Sequence, residues 1–317
     1  MELNFKGLPQ LLKRFPDDKT AREYFEQLRW NGTPVCPYCA CDKSYKLSKE
    51  GQYKCGNRKC HKKYSVLVGT VFQSSHIPLN IWFAAMYLIS SHKKGIASHQ
   101  IAKDLNLTQK TAWFMLHRIR LMAKEKEKVI LKGTVELDEA YMARKYHSEM
   151  KPTGFDFTPS WPRIDRKGCV FGMVERKGKV VVKVFPSNTG ADIKKAIREH
   201  IDKSATIYTD DSFIYRTGLD EYKRESVTHS KREYVRGNVS TNQIENFWGV
   251  MKRGVYGTYH QVSYKHLHRY CDEFSYRYNS RILADNERFN ITLNRTEGRL
   301  KYSQLISNER EETERAS

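Results

Sequence analysis

Residues 134–144 read TVELDEAYMAR, and the alternation in this stretch decides the fold. Val135 and Leu137 share one face, which predicts a half-buried strand, with Asp138 alternating against them. Downstream, CVFGMVER (169–176) and KVVVKVFPS (179–187) read as two more strands, joined by a hairpin turn at Lys177-Gly178. GADIKKAIREHID (190–202) reads as a helix, and ATIYTDDS (205–212) as a strand ending in acids. TNQIENFWGVMKRG (241–254) and SYKHLHRYCDEFSYRYN (263–279) read as helices. Three strands, a helix, a strand and further helices suit an α/β layer, a mixed sheet covered by helices. The stretch 145–167, with Pro152, Gly154, Pro159 and Pro162, reads as a loop.

Upstream of this sheet the character differs. Residues 17–30 predict a short helix with Tyr24, Phe25 and Leu28 on its apolar face and Asp17, Asp18 or Thr20 as cap. A polar, cysteine-rich stretch follows (33–64), then an apolar helix (78–92) and two short helices (about 97–104 and 108–124). KEKEK (124–128) is a charged helix end or linker, and the chain after about 295 is polar and weakly patterned, as a frayed tail would be. The expected division is 1–70 (helix and ribbon), 71–130 (helical), 131–285 (catalytic α/β) and 286–317 (tail).

The composition narrows the function. The chain has 317 residues, and 56 Lys and Arg against 36 Asp and Glu leave a formal net charge of +20. A pI near 9.6 makes nucleic acid the first partner to consider and an anionic membrane surface the second. Mean hydropathy is −0.71, and the greasiest stretch, IWFAAMYLI (81–89), is too short to span a bilayer. MELNFKGLPQ lacks the apolar core of a signal peptide. Seven cysteines in such a chain argue for a reducing, cytoplasmic setting and against a disulfide framework.

Cys36-Pro-Tyr-Cys39 and Cys55-Gly-Asn-Arg-Lys-Cys60 are two short-spaced pairs with 15 residues between them. Four soft ligands on adjacent turns are what one tetrahedral, structural zinc requires, and the spacing fits a zinc ribbon. Cys41 and His61 are rival ligands. In HQIAKDLNLTQKTAWFMLHRIR (99–120), Ile101, Ala102 and Leu105, then Asn106-Leu107, then Ala112, Met115 and Ile119 give the apolar frame of a helix-turn-helix capped at Thr108. Its second helix is expected to expose Gln109, Lys110, Trp113, His117, Arg118 and Arg120 to DNA.

Three acids stand where a sheet and a helix can bring them together: Asp138 in the first strand, Asp210 ending the fourth, and Glu245 on the helix after it. Converging hard oxygens suit magnesium or manganese, and two such ions can clamp a phosphodiester. Glu139 and Asp211 are the substitutes should the register differ by one. Lys252, two helical turns beyond Glu245 with Arg253 beside it, is placed to meet a phosphate.

Taken in order, the cysteine pairs, GTVF (69–72), ELDEAY (136–141), YTDD (208–211), NQIENFWGVMKRGVYGTYH (242–260) and HLHRYCDEFSYRYN (266–279) resemble bacterial insertion-sequence transposases of the DDE type with an N-terminal zinc ribbon, the ISXO-type group. The resemblance covers roughly residues 15–285. It implies a ribonuclease H-like catalytic domain in which Asp138, Asp210 and Glu245 bind two divalent ions and Lys252 helps hold DNA. It also implies cleavage at transposon terminal repeats and strand transfer into target DNA, by a dimer or larger assembly associated with the bacterial nucleoid. The rival readings are a zinc-ribbon DNA-binding regulator without catalysis and a metal-dependent nuclease that cuts without joining.

Overall fold

The computed structural model describes residues 2–142, 168–185, 190–227 and 235–307. The chain forms two compact units, one from 1–123 together with 282–317, the other from 124–281. Among the described residues no helix is long and apolar enough to cross a membrane.

The first unit begins with α1 (Leu8–Arg14) and α2 (Asp18–Trp30). Asp17 caps α2 by accepting from the Thr20 N–H at 2.8 Å, one of the three expected caps. Strands β1 (Ser44–Lys46), β2 (Tyr53–Cys55) and β3 (Lys63–Tyr64) make a small antiparallel sheet. Next comes α3 (Leu79–Ser91), which is apolar all round and therefore buried from Leu79 to Ser90 except at Asn80 and Ile81. Around it pack Phe15, Phe25 and the inner face of α5 (Gln109–Ala123), which follows α4 (Ser98–Asp104). The turn between α4 and α5 passes through Asn106 in the left-handed region, φ 51°, and Thr108 Oγ1 accepts from the Thr111 N–H at 3.2 Å.

The second unit holds the sheet that the sequence predicts. Strands β4 (Thr134–Met142), β5 (Gly168–Glu175) and β6 (Val180–Phe185) run antiparallel in succession. After α6 (Gly190–His200), β7 (Thr206–Thr209) and β8 (Lys223–Ser226) add on the other side of β4, both parallel. The order is β6-β5-β4-β7-β8, the mixed sheet of a ribonuclease H-like domain. A hairpin of β9 (Val235–Arg236) and β10 (Val239–Ser240) leads into α7 (Asn242–Gly257) and then α8 (Tyr264–Asn279). Side chains of β4 alternate as expected: Val135 and Leu137 pack with Ile193 and Ile197 of α6. Ala140 and Met142 pack on the other face with Ile244, Trp248 and Phe274. The strand at 205–212 ends earlier than the sequence suggests, at Thr209, where a turn carries Asp210 and Asp211 into a short 3₁₀ segment, Phe213–Tyr215. The loop expected at 145–167 lies outside the described residues.

The chain then returns to the first unit as α9 (Asp285–Asn294) and α10 (Tyr302–Ile306). This corrects the polar tail expected at 286–317, with fraying after about 295, as far as residue 307. Phe289 is fully buried against Phe5 and Phe83, and Leu293, Leu300 and Leu305 are buried too. Arg288 donates to the Ser90 carbonyl at 2.7 Å. Phe289 and Leu293 stand one helical turn apart, but two apolar residues among polar ones make a weak signal.

Candidate active site and metal centre

The ribbon gathers the four expected cysteines. The Sγ atoms of Cys36, Cys39, Cys55 and Cys60 all lie within 4.8 Å of one another. Two of the separations are 3.8 Å (Cys36 to Cys60) and 3.5 Å (Cys39 to Cys55). Zn–S bonds of about 2.3 Å in a tetrahedron put sulfurs about 3.8 Å apart, so the set fits zinc. Cys41, with its thiol toward the Lys43 carbonyl, and His61 stand outside the set. Burial pushes the Cys55 thiol up to about 12, while the Cys41 N–H draws Cys39 down to about 7. Trp30, Tyr53 and Tyr64 pack edge-on or stacked beneath the sheet at 5.3–5.9 Å.

The acids lie on the second unit. The parallel register pairs Thr134 with Thr206 and Glu136 with Tyr208; two residues further on stand Asp138, still on β4, and Asp210, just past the end of β7, close enough for their charges to interact. On the other side of β4, Asp138 pairs with Gly172 of β5. A Cβ on Gly172 would stand 2.6 Å from both Ile244 and Trp248. The missing side chain therefore lets α7 settle on the sheet beside Asp138, and α7 carries Glu245. Burial first, and then the negative charges of Asp210 and Glu245, raise the Asp138 carboxyl to about 6. The Trp248 indole approaches it without a well-formed hydrogen bond. Asp210 Oδ1 accepts from the Ser212 N–H at 3.0 Å, and Glu245 Oε1 accepts from the Thr241 hydroxyl at 2.8 Å. Three hard-oxygen donors whose charges meet, with Asp138 raised by the other two, suit cations.

Of the two substitutes, Glu139 lies on the opposite face of β4, where the buried Tyr215 hydroxyl donates to it; burial raises its carboxyl to about 7. Asp211 follows Asp210 into the turn, its carbonyl accepting from Arg216 at 3.1 Å. Lys252 and Arg253 are exposed on α7.

The basic face expected on α5 is smaller than the sequence suggests. Gln109 and Lys110 are exposed, with Gln109 donating to Ser98 at 3.0 Å. Trp113 is half-buried, edge-on to His117 and Tyr302. Arg118 is only 5% exposed, and His117 and Arg120 are buried. The Arg118 guanidinium lies 4.3 Å from the Phe114 ring centre, and its Nε donates to the Leu300 carbonyl at 3.3 Å. Arg118 is thus a packing residue under the returning chain and is corrected as a DNA contact.

Sequence reasoning missed Glu136 and Arg176. Glu136 is fully buried on β4 and paired with Arg176 at 2.8 Å. An acid two residues before Asp138, hence on the same face of one strand, was the available signal.

Comparison with known proteins agrees with this architecture. Residues 130–279 match the ISXO2-like transposase domain, and residues 16–63 match the transposase zinc-ribbon domain. An uncharacterized protein in transposable element ISH50 of Halobacterium salinarum is 27% identical over 257 residues, covering 76% of this chain and 84% of that one. Among solved structures, the Mos1 strand transfer complex aligns with 67% of this chain and 74% of its own at 12% identity and a TM-score of 0.27. The mariner Mos1 paired-end complex with Mg aligns with 94% and 100% at 10% identity and a TM-score of 0.24. Scores that low add nothing about this chain. The ribbon, the sheet order and the two matches agree: the chain carries a transposase zinc-ribbon domain followed by an ISXO2-like transposase domain.

Proposed function

We propose that Asp138, Asp210 and Glu245 hold two divalent cations, magnesium or manganese, and that at this site the protein cuts transposon ends and joins them to target DNA. The observation that carries this is that the charges of Asp210, just past β7, and Glu245, on the helix seated over Gly172, both bear on Asp138. When bound, such a pair supplies Lewis-acid polarisation of the scissile phosphate and an activated nucleophile at neutral pH. In the first displacement water forms a new P–O bond to the phosphorus at the element's end, leaving a 5′ phosphate on the flanking strand, and the element's 3′ oxygen leaves as a hydroxyl. In the second, that oxygen attacks a target phosphorus in line and expels the target strand's own 3′ oxygen. The acids orient both displacements, and no covalent bond to the protein is needed.

Lys252 and Arg253, exposed on the helix that carries Glu245, meet phosphates of the bound duplex. Gln109 and Lys110, with Trp113 behind them, form the groove-facing end of α5 in a helix-turn-helix that reads the terminal repeat. One zinc on Cys36, Cys39, Cys55 and Cys60 is structural, since four protein ligands leave no open position. Two ends must be held for joining, so the active form is a dimer or larger.

The test is a strand-transfer assay with a labelled end duplex, a target plasmid, and magnesium or manganese against EDTA. Metal-dependent joined products are expected from the native protein. Asp210→Ala and Asp138→Asn should bind the end duplex and yield no product. Cutting without joining would establish the nuclease reading, and full activity in either variant would sink the acid assignment.

A further inference from the structure

We infer that Glu136 and Arg176 are positioning residues that fix the third acid, Glu245, relative to Asp138; the inference rests on the proposed role of those two acids. Helix α7 starts without an ordinary cap. Thr241 occupies the cap position, but its hydroxyl makes no capping bond to the backbone and donates instead to Glu245 Oε1 at 2.8 Å. The first N–H groups of the helix still need acceptors. Glu136 Oε2 supplies one, accepting from the N–H of Gln243 at 2.7 Å and of Ile244 at 3.2 Å. The cap comes from a strand 107 positions back in the chain from Gln243. A buried carboxylate at a helix N-terminus also meets the positive end of the helix dipole.

The other oxygen of Glu136 accepts from Arg176 Nε at 2.8 Å. Arg176 Nη1 donates to the Asn238 carbonyl at 2.7 Å, and Nη2 to the Ser240 carbonyl and hydroxyl at 3.1 and 2.8 Å. Its guanidinium stands 4.7 Å from the Tyr208 ring centre on β7, the strand that leads to Asp210. One ion pair therefore ties β4, β7, the β9–β10 hairpin and the first turn of α7. From Asp138 the path to Glu245 runs through one strand residue, Leu137, to Glu136, across one hydrogen bond to Ile244, and on to its neighbour. A ligand carried on a helix keeps its distance from a ligand on a strand only if the helix is pinned in rotation and in rise, and this pair pins both.

Metal affinity read without catalysis tests this. Mn²⁺ is titrated into the full-length protein and the free ion followed by electron paramagnetic resonance, beside end-duplex binding, thermal melting and strand cleavage. Glu136→Gln keeps the volume but sets an amide NH₂ against backbone N–H donors or the guanidinium. It is expected to weaken Mn²⁺ binding or cleavage about 10–100-fold, with end-duplex binding unchanged. Arg176→Lys, which keeps the charge and loses the fork, should move both in the same direction. It also serves as the second variant if Glu136→Gln does not fold. Glu136→Asp should recover part of the loss. Glu287→Ala removes a cap on α9 in the other unit, where Glu287 accepts from the Ala284 N–H at 2.8 Å; it is the stability control and should leave Mn²⁺ binding unchanged. Native Mn²⁺ affinity and cleavage in a folded Glu136→Gln or Arg176→Lys protein would overturn the inference while leaving the acid assignment standing. Full activity in Glu245→Gln would overturn the acid assignment, and this inference with it.

Discussion

Asp138 and Glu139 are adjacent in sequence but face opposite sides of one strand, and that separation gives them different chemistry. Asp138 feels Asp210 and Glu245, whereas Glu139 is held by Tyr215. The alternation of VELDE showed which acid to prefer, because Val135 and Leu137 mark the opposite face. Arg118 was not legible in the same way. What covers it is Leu300 and its neighbours, 182 positions further on, and no pattern local to α5 encodes that. Asp272 on α8 gives a prediction at this scale. Burial raises its carboxyl to about 6 although Lys124, Arg269 and Lys183 pull the other way. Its folded value lies above its unfolded value, so the folded state binds the extra proton between about pH 4 and pH 6. The stability from this group is greatest below that window, falls as pH rises through it, and stays low above. Asp272→Asn is therefore expected to stabilise the protein by about 2 kcal/mol at pH 8 and to change little near pH 3. Thermal melts at the two pH values check this, and equal melting at pH 8 would refute the burial argument.

At the scale of elements, the ribbon was the easiest part to read. Its ligands come as local pairs, so spacing alone brings them together once the β-turns form. The sheet was legible in its strands and not in its edges. β8, with both middle residues exposed or half-exposed, lacks an apolar alternation, and the two-residue strands β9 and β10 are too short to show one. The seating of α7 on β5 depends on a single missing side chain. Gly172→Ala would drive a methyl against Ile244 Cδ1 and the Trp248 ring at 2.6 Å; the Ile244 methyl can rotate, but the buried, rigid indole cannot bend away. Overpacking of this kind costs about 1–3 kcal/mol. Because the helix that must lift carries Glu245, strand cleavage should fall by more than the loss of folded protein explains. Denaturant unfolding and single-turnover cleavage on one preparation compare the two. A drop in activity that only tracks the folded fraction would show that α7 tolerates the displacement.

For the whole molecule, the excess of 20 positive charges is legible without any structure and concerns association rather than fold. If exposed bases such as Lys110, Lys252 and Arg253 meet phosphates, affinity for the end duplex must fall steeply with salt. Six to ten neutralised phosphates would give a loss of about a thousandfold or more between 50 and 200 mM salt. Fluorescence anisotropy across that range measures the slope, and a flat response would contradict a phosphate-dominated interface.

The path of the chain has a consequence for how the protein is made. The first unit is closed by α9 and α10, which follow the whole of the second. On the ribosome the catalytic sheet can complete itself while the ribbon and helices before it still lack Phe289, Leu293 and Leu305 from their core. A copy cut short by a premature stop before these residues would keep all three acids and lose the body that holds the ribbon. A truncated element would therefore yield a chain with intact chemistry and no stable means of finding its own ends.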